Sequence, residues 1–410
     1  MDKETVLFIG YVWPEPKSSA AGSRMLQLIS FFKDLEYKIV FSSPAKKGSH
    51  EFDLSAIGVV EKGIQLNNSS FDDFLKELRP SIVVFDRYMM EEQFGWRVAD
   101  HCPDALRILD TEDLHFLRNE RQKSLKRKSK GDATALLNSE LAQREIASIY
   151  RCDLSLIISE VELELLKDVF KVNETILQYL PFLIGEAPAS PVPFEEKEDF
   201  IFIGNFLHEP NWDAVLALKE TVWPIIRKQL PTAKLHVYGA YTSEKVNNLH
   251  NPKDGFFVHG WIENAEVVLR KSKILLAPLR FGAGLKGKLV EAMLQGTASV
   301  TTTIGAEGIN GSYAWNGFIY DNPIDFAHAA VALYLDAEEY TQAVKNGHKI
   351  LKMRLDATVH KSYFKLKVNE LRSNLRQHRS HNFIGSMLMQ QTTQASKYLS
   401  KWIEEKNKKN

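Results

Sequence analysis

Cysteine is nearly absent from the 410-residue chain, with Cys102 and Cys152 as the only two. Two thiols set among apolar residues are too few for a disulfide framework, so they read as buried thiols in a reducing compartment, by default the cytosol. Net charge is absent as well: 52 Lys and Arg balance 52 Asp and Glu, which leaves no overall field to favour nucleic acid or an anionic membrane. No apolar run approaches the roughly 18 residues of a membrane span. No charged-then-apolar leader is seen either, because Met1 to Thr5 passes directly into a strand pattern. Any membrane association is therefore expected to be peripheral. Internal repeats and low-complexity tracts are lacking. So are metal-ligand intervals: His236, His250 and His259 lie scattered, and there is no DxD-type divalent site, so no metal is expected.

What is present is a rhythm of short apolar runs alternating with helical patterns, the signature of parallel sheets covered by helices. At roughly 150 residues per domain, the length suggests two or three domains. In the first half, strands are expected at Val6 to Gly10, Ile39 to Ser43, Ile82 to Phe85, Leu106 to Asp110 and Leu154 to Ser159. Pro181, Pro188, Pro191 and Pro193, followed by EEKED, then break the rhythm, and Pro181 to Glu198 reads as a linker. A second series follows at Phe200 to Gly204, Lys234 to Gly239, Phe256 to Gly260, Ile274 to Leu279 and Ser299 to Thr303. Two doubly wound units place a cleft between the C-terminal ends of their strands, where such sheets bind ligands. The chain becomes helical after Ile319, with patterns at Ile324 to Leu335, Glu338 to Lys352 and Ala357 to about Arg376. The polar tail from Ser380 carries apolar anchors that suit a final helix packed on the protein.

The densest chemistry lies in RFGAGLKGKLVEAMLQGTASVTTTIGAEGI, Arg280 to Ile309. Gly282, Gly284 and Gly287 permit a tight backbone path and close ligand approach after a strand. The following helix offers free N–H groups and a favourable dipole to an anion. Leu285, Leu289, Ala292, Met293 and Gly296 give it a core face, while Lys288 and Glu291 share another. A cation suits phosphate, and an acceptor-only carboxylate suits sugar hydroxyls. The competing reading is a surface ion pair after an ordinary turn.

This segment resembles the donor-binding signature of glycosyltransferase family 4, retaining enzymes of the GT-B fold. The resemblance extends to FIFIGNFLHEPNWDA at Phe200 to Ala214 and LDTEDLHFLRNER at Leu109 to Arg121, in the order the family has them. It implies two Rossmann-like domains facing across a cleft: an acceptor-side domain over 1–185 and a nucleotide-sugar donor domain over 199–355. Helices over 356–410 follow, the first crossing back to the N-terminal domain. The implied activity is metal-independent transfer of a sugar from a nucleotide sugar, a co-substrate rather than a cofactor, to an acceptor hydroxyl with retention. The acceptor, whether carbohydrate, lipid-linked or protein, stays open. So do two alternatives: an epimerase or hydrolase of the same fold, and an inactive nucleotide-binding scaffold.

By the resemblance, Gly282, Ala283, Gly284, Lys286, Lys288 and Glu291 bind the donor, with Glu291 on the ribose, Lys286 and Lys288 on the diphosphate, and Asn205 nearby. Ala283 stands where the family has its first glutamate, and Asn205 and Pro210 where it has a basic pair, so the charge falls to the two lysines. Gly22, in the loop YVWPEPKSSAAGSRM, is placed near the diphosphate, with Ser18, Ser19 and Ser23 before a helix expected to begin near Ser23. Arg24 is free to reach that anion or a carboxylate. In LDTEDLHFLR, Asp113, His115 and Arg118 are candidates for orienting the acceptor. Asp113 and His115 join Lys288 as the catalytic set, His115 because it exchanges protons near neutral pH. Thr111 can cap the helix that follows, and the alternative makes Asp110 and Asp113 helix-end caps and His115 a satisfied interior residue. The run from Arg121 to Lys130 reads as a solvated basic loop or as peripheral contact with an anionic surface.

Overall fold

A computed structural model describes residues 3–128, 133–186 and 192–390, together with 398–400, 402, 403 and 406. Lys130, Pro188 and Pro191, all named above, lie outside the described residues. Apolar runs such as Ile82–Asp86 are buried along their whole length, as expected of parallel strands covered on both faces. Seven strands form the first sheet: β1 (Thr5–Ile9), β2 (Lys38–Ser43), β3 (Val60–Gly63), β4 (Ile82–Asp86), β5 (Leu106–Asp110), β6 (Leu154–Ile157) and β7 (Leu177–Tyr179), in the order β3-β2-β1-β4-β5-β6-β7. Six form the second: β8 (Glu198–Ile203), β9 (Leu235–Tyr238), β10 (Phe256–Gly260), β11 (Ser272–Ala277), β12 (Ala298–Thr301) and β13 (Gly317–Ile319), in the order β10-β9-β8-β11-β12-β13. All the pairings between these strands are parallel.

Each sheet reverses direction at its first strand, between β1 and β4 and between β8 and β11. Loops leaving neighbouring strands diverge there and open a crevice, the usual ligand position in such sheets. The loops after β1, β4, β8 and β11 line the interdomain cavity described below, together with those after β5, β9 and β10.

The expected strands are present within a few residues. The edge strands β3, β7 and β13 were not expected, because three or four residues with exposed or polar positions leave no readable period. The first helix, Ala20–Asp34, begins earlier than expected, since Ser19 rather than Ser23 caps it through the N–H of Gly22. The stretch expected as a linker is partly core: Phe182 and Leu183 are buried against the two sheets' cores, and Ile184 pairs with the chain at Asp356. Its prolines hid these apolar residues.

The helices Pro323–Leu335 and Ala337–Arg354 pack on the second sheet, with Ala330, Leu333 and Ile350 in its core. The next helix, Ala357–Ser373, lies against the first sheet's unit: Phe364 stacks on Phe31 at 4.5 Å, and Lys361 pairs with Asp34. Phe383–Gln390 packs on Glu140–Arg151. No described helix is long and apolar enough to cross a membrane.

Candidate active site

A cavity of about 670 Å³ opens between the C-terminal edges of the two sheets. It is lined by Gly22, Asp113, His115 and Arg118 from one side and by Asn205, Gly282, Ala283, Gly284, Lys286, Lys288 and Glu291 from the other. These candidates from the two halves of the sequence therefore meet in one place, with Arg24 the exception.

On the donor side, the glycine loop leads from β11 into the helix Gly287–Leu294, whose N-cap residue Lys286 supplies no side-chain acceptor to the first turn. Its first N–H groups are thus left for a ligand. The buried face of the helix holds Leu289, Val290, Ala292 and Met293, which turns Lys288 and Glu291 into the cavity. Lys288 Nζ donates to Asn211 Oδ1 at 2.5 Å and lies 4.4 Å from the centre of the Phe202 ring, while Asn211 Nδ2 donates to the carbonyl of Asn205 at 2.7 Å. Burial lowers the Lys288 ammonium to about 7 against the opposing pull of Glu291. Burial also raises the Glu291 carboxyl to about 7 against Lys288. Lys286 Nζ donates to the carbonyl of Gly284 at 2.8 Å, and burial brings it down to about 8 with Glu307 opposing. Asn211, in the first turn of the helix Glu209–Ala217, thus braces Lys288.

On the other side, the turn after β5 carries Glu112 with a left-handed φ of 63°. Thr111 caps no helix, because its hydroxyl donates to Leu156, and the helix His115–Arg127 starts later. That helix is capped from a distance: the N–H groups of His115 and Phe116 both donate to Glu145, at 3.1 and 3.0 Å. Asp113 accepts from Arg118 Nη1 at 2.5 Å and lies 3.4 Å from His115 Nε2. Burial pushes the Asp113 carboxyl up, but Arg118 and His115 outweigh it and hold it below the usual range. Burial lowers His115 to about 4 despite Asp113, so its imidazole is neutral at pH 7. Arg118 also lies 3.3 Å from His208 Nε2 of the other domain. Arg24 does not face the cavity. It is fully buried in a bidentate pair with Asp110, at 2.7 to 3.1 Å.

Three contacts across the cleft had no local signal in the sequence. Glu162 Oε1 accepts from the N–H of Leu114 at 3.0 Å and from the N–H of Gly284 at 2.8 Å, so one carboxylate ties the turn bearing Asp113 to the donor loop. Arg121 binds Glu307 at 2.6 and 2.7 Å and the carbonyl of Gly282 at 2.8 Å. Tyr241 donates to Glu15 at 2.7 Å. The basic run is accordingly not a loop as far as Arg127: it continues the helix His115–Arg127, with Arg121 turned to the interface and Lys123, Lys126 and Arg127 exposed. Ala283 is partly buried against the apolar cluster of the first sheet and also lines the cavity. His236 and His259, scattered in sequence, touch at 2.8 Å on neighbouring strands. Among the described residues, no group of three or more His, Cys, Asp or Glu is arranged as metal ligands.

Residues 197–336 match the model of the family described as Glycosyl transferases group 1. No curated protein matches the chain. Among solved structures, sucrose-phosphate synthase from Thermosynechococcus elongatus is similar at TM-score 0.66 and 13% identity, over 90% of this chain and 100% of that one. HepE from Anabaena, in complex with UDP and glucose, is similar at TM-score 0.66 and 12% identity, over 89% and 99%. TarM is similar at TM-score 0.67 and 10% identity, over 90% and 99%. The chain has the GT-B fold of these glycosyltransferases. The residues matched by the family model span its second sheet and the glycine loop.

Proposed function

We propose that the protein is a retaining, metal-independent glycosyltransferase that moves a sugar from a nucleotide sugar to an acceptor hydroxyl. The observation that carries this reading is the placement of Lys288 and Glu291 at an uncapped helix start in the cleft, opposite Asp113 and His115. Glu291 accepts from the ribose hydroxyls. The diphosphate lies on the N–H groups after Gly284, with Lys288 and Lys286 beside it. As the bond from the sugar's C1 to the phosphate oxygen breaks, negative charge develops on the leaving nucleoside diphosphate, and these groups stabilise it. The acceptor oxygen bonds to C1 on the face the diphosphate leaves, and its proton passes to the departing phosphate oxygen. Asp113, held ionised by Arg118, and neutral His115 orient that hydroxyl.

UDP-linked sugars lead the candidates, because the HepE structures are complexes with UDP, with UDP and glucose, and with UDP-glucose. The protein acts in the cytoplasm under this reading, and exposed Lys123, Lys126 and Arg127 offer peripheral contact with an anionic surface. The test is a panel of UDP-, GDP-, ADP- and dTDP-sugars with sugar acceptors, followed by NMR of the new anomeric signal. The expected product keeps the donor's anomeric configuration and forms in the presence of EDTA. An inverted product, or conversion of every donor without transfer, refutes the proposal.

A further inference from the structure

The acceptor end of the same cleft holds two carboxyl groups, each with one buried oxygen that has no hydrogen-bond partner among the described residues. β4 and β5 run in register through Asp86 and Asp110, so the turns that leave them lie side by side. Both turns place a residue in the left-handed region: Arg87 at φ 69° and Glu112 at φ 63°. Asp86 is only 4% exposed; its Oδ2 accepts the N–H of Tyr11 at 3.0 Å, while its Oδ1 is buried without a hydrogen-bond partner. Glu112 Oε1 is likewise buried and unpartnered. Both residues line the cavity, as do Tyr11 and Arg87. The neighbouring carboxylates are already committed, Asp110 to Arg24 and Asp113 to Arg118.

Resting on the glycosyltransferase reading, we propose that Tyr11, Asp86, Arg87 and Glu112 form an acceptor subsite for an uncharged polyhydroxylated sugar unit, in preference to a phosphorylated or carboxylated one. Buried carboxyl oxygens require donors, and sugar hydroxyls bring several at the needed spacing. An anionic group at the same place would face Asp86 and Glu112 with one cation to meet it. That cation, Arg87, already lies 3.5 Å from Asp86 Oδ1 and stacks over the Tyr11 ring at 5.2 Å. Tyr11 is 42% exposed, a flat apolar surface against which the C–H face of a pyranose packs. The Glu112 carboxyl is raised to about 8 by burial and by the charges of Asp110 and Asp86. It therefore keeps its proton at neutral pH and offers a hydroxyl both a donor and an acceptor.

The experiment uses the full chain in the presence of UDP. Saturation-transfer NMR compares methyl α-glucoside, methyl α-galactoside, methyl α-mannoside and lactose with glucose 6-phosphate and glucuronate, on wild type, Asp86→Asn, Glu112→Ala and Tyr11→Ala. At least one neutral probe is expected to bind more tightly than both anions, and each substitution to weaken it by about tenfold, with UDP affinity by calorimetry unchanged. Tyr11 is a surface residue, so Tyr11→Ala reports even if a buried substitution unfolds the protein. Stronger binding of the anionic probes overturns the subsite, as does binding of no neutral probe or indifference to all three substitutions. Failure of the donor reading appears separately, as wild type that binds no nucleotide.

Discussion

Gly287 offers a perturbation whose effects on stability and on activity have opposite signs. It opens the donor helix, and a Cβ placed there would lie 2.5 Å from the Cβ of Ala20, at the start of the first helix of the other domain. No flexible side chain is available to yield. Gly287→Ala leaves the backbone unstrained, so its restriction of the unfolded chain stabilises the donor domain by about 0.4 to 1 kcal/mol. In the domain arrangement seen here the new methyl group clashes with Ala20, at a cost of about 1 to 3 kcal/mol. At a factor of ten per 1.4 kcal/mol, closure becomes roughly 5- to 150-fold less favourable, and kcat falls by that factor if the reaction needs the closed form. Removing the methyl partner should relieve the clash: Ala20→Gly combined with Gly287→Ala is expected to regain most of the lost turnover. The assay is nucleotide release from the donor, with donor-induced compaction followed by small-angle scattering. A double-mutant coupling below about 0.5 kcal/mol, or a Gly287→Ala variant with unchanged kcat, refutes the closure argument.

Glu162→Ala removes the acceptor shared by the N–H groups of Leu114 and Gly284. It is expected to lower kcat by about tenfold or more while nucleotide affinity stays within a few-fold, and Glu162→Gln, which keeps the accepting oxygen, is expected to restore it. Donor binding should be linked to proton uptake. Lys288, brought down to about 7 by burial with Glu291 opposing, is mostly neutral at pH 8 and must gain a proton to meet a diphosphate. Calorimetry at pH 8 in buffers of different ionisation enthalpy should show uptake, and affinity should fall as pH rises above about 7. Acid stability follows from His115, which burial lowers to about 4. Above its ordinary value of 6.5 it is neutral in both states and nothing is lost. Below it the unfolded chain binds a proton that the folded one refuses, so the melting temperature should fall between pH 6.5 and 4. His115→Gln should flatten that slope.

The central strands were legible because burial on both faces leaves an unbroken apolar run, as at Ile82–Asp86. Edge strands such as Gly317–Ile319 were not, since their three residues are only partly buried. The same contrast holds at the site. Lys288 and Glu291 could be picked out because loop, helix start and both side chains lie within one turn of the sequence. Glu162 could not: its partner Gly284 lies 122 residues away, and in SEVELELL it stands among acidic neighbours that look like a solvated helix face. Arg121 was hidden in the same way, inside a run of cations whose other exposed members do face solvent. Ser19 and Ser23 are equally good caps by residue type, and the hydrogen bond to Gly22 decides between them. Local chemistry was readable; contacts that depend on how the two sheets face each other were not.

The central claim is that the cleft binds a nucleotide sugar through the helix carrying Lys288 and Glu291. Isothermal titration of UDP-glucose into wild type and Glu291→Ala at pH 7 tests it most directly. The account predicts saturable one-site binding to wild type, weakened about tenfold or more when the buried acceptor for the ribose is removed. Equal affinity in the two proteins, or no binding of any nucleotide sugar to wild type, contradicts it.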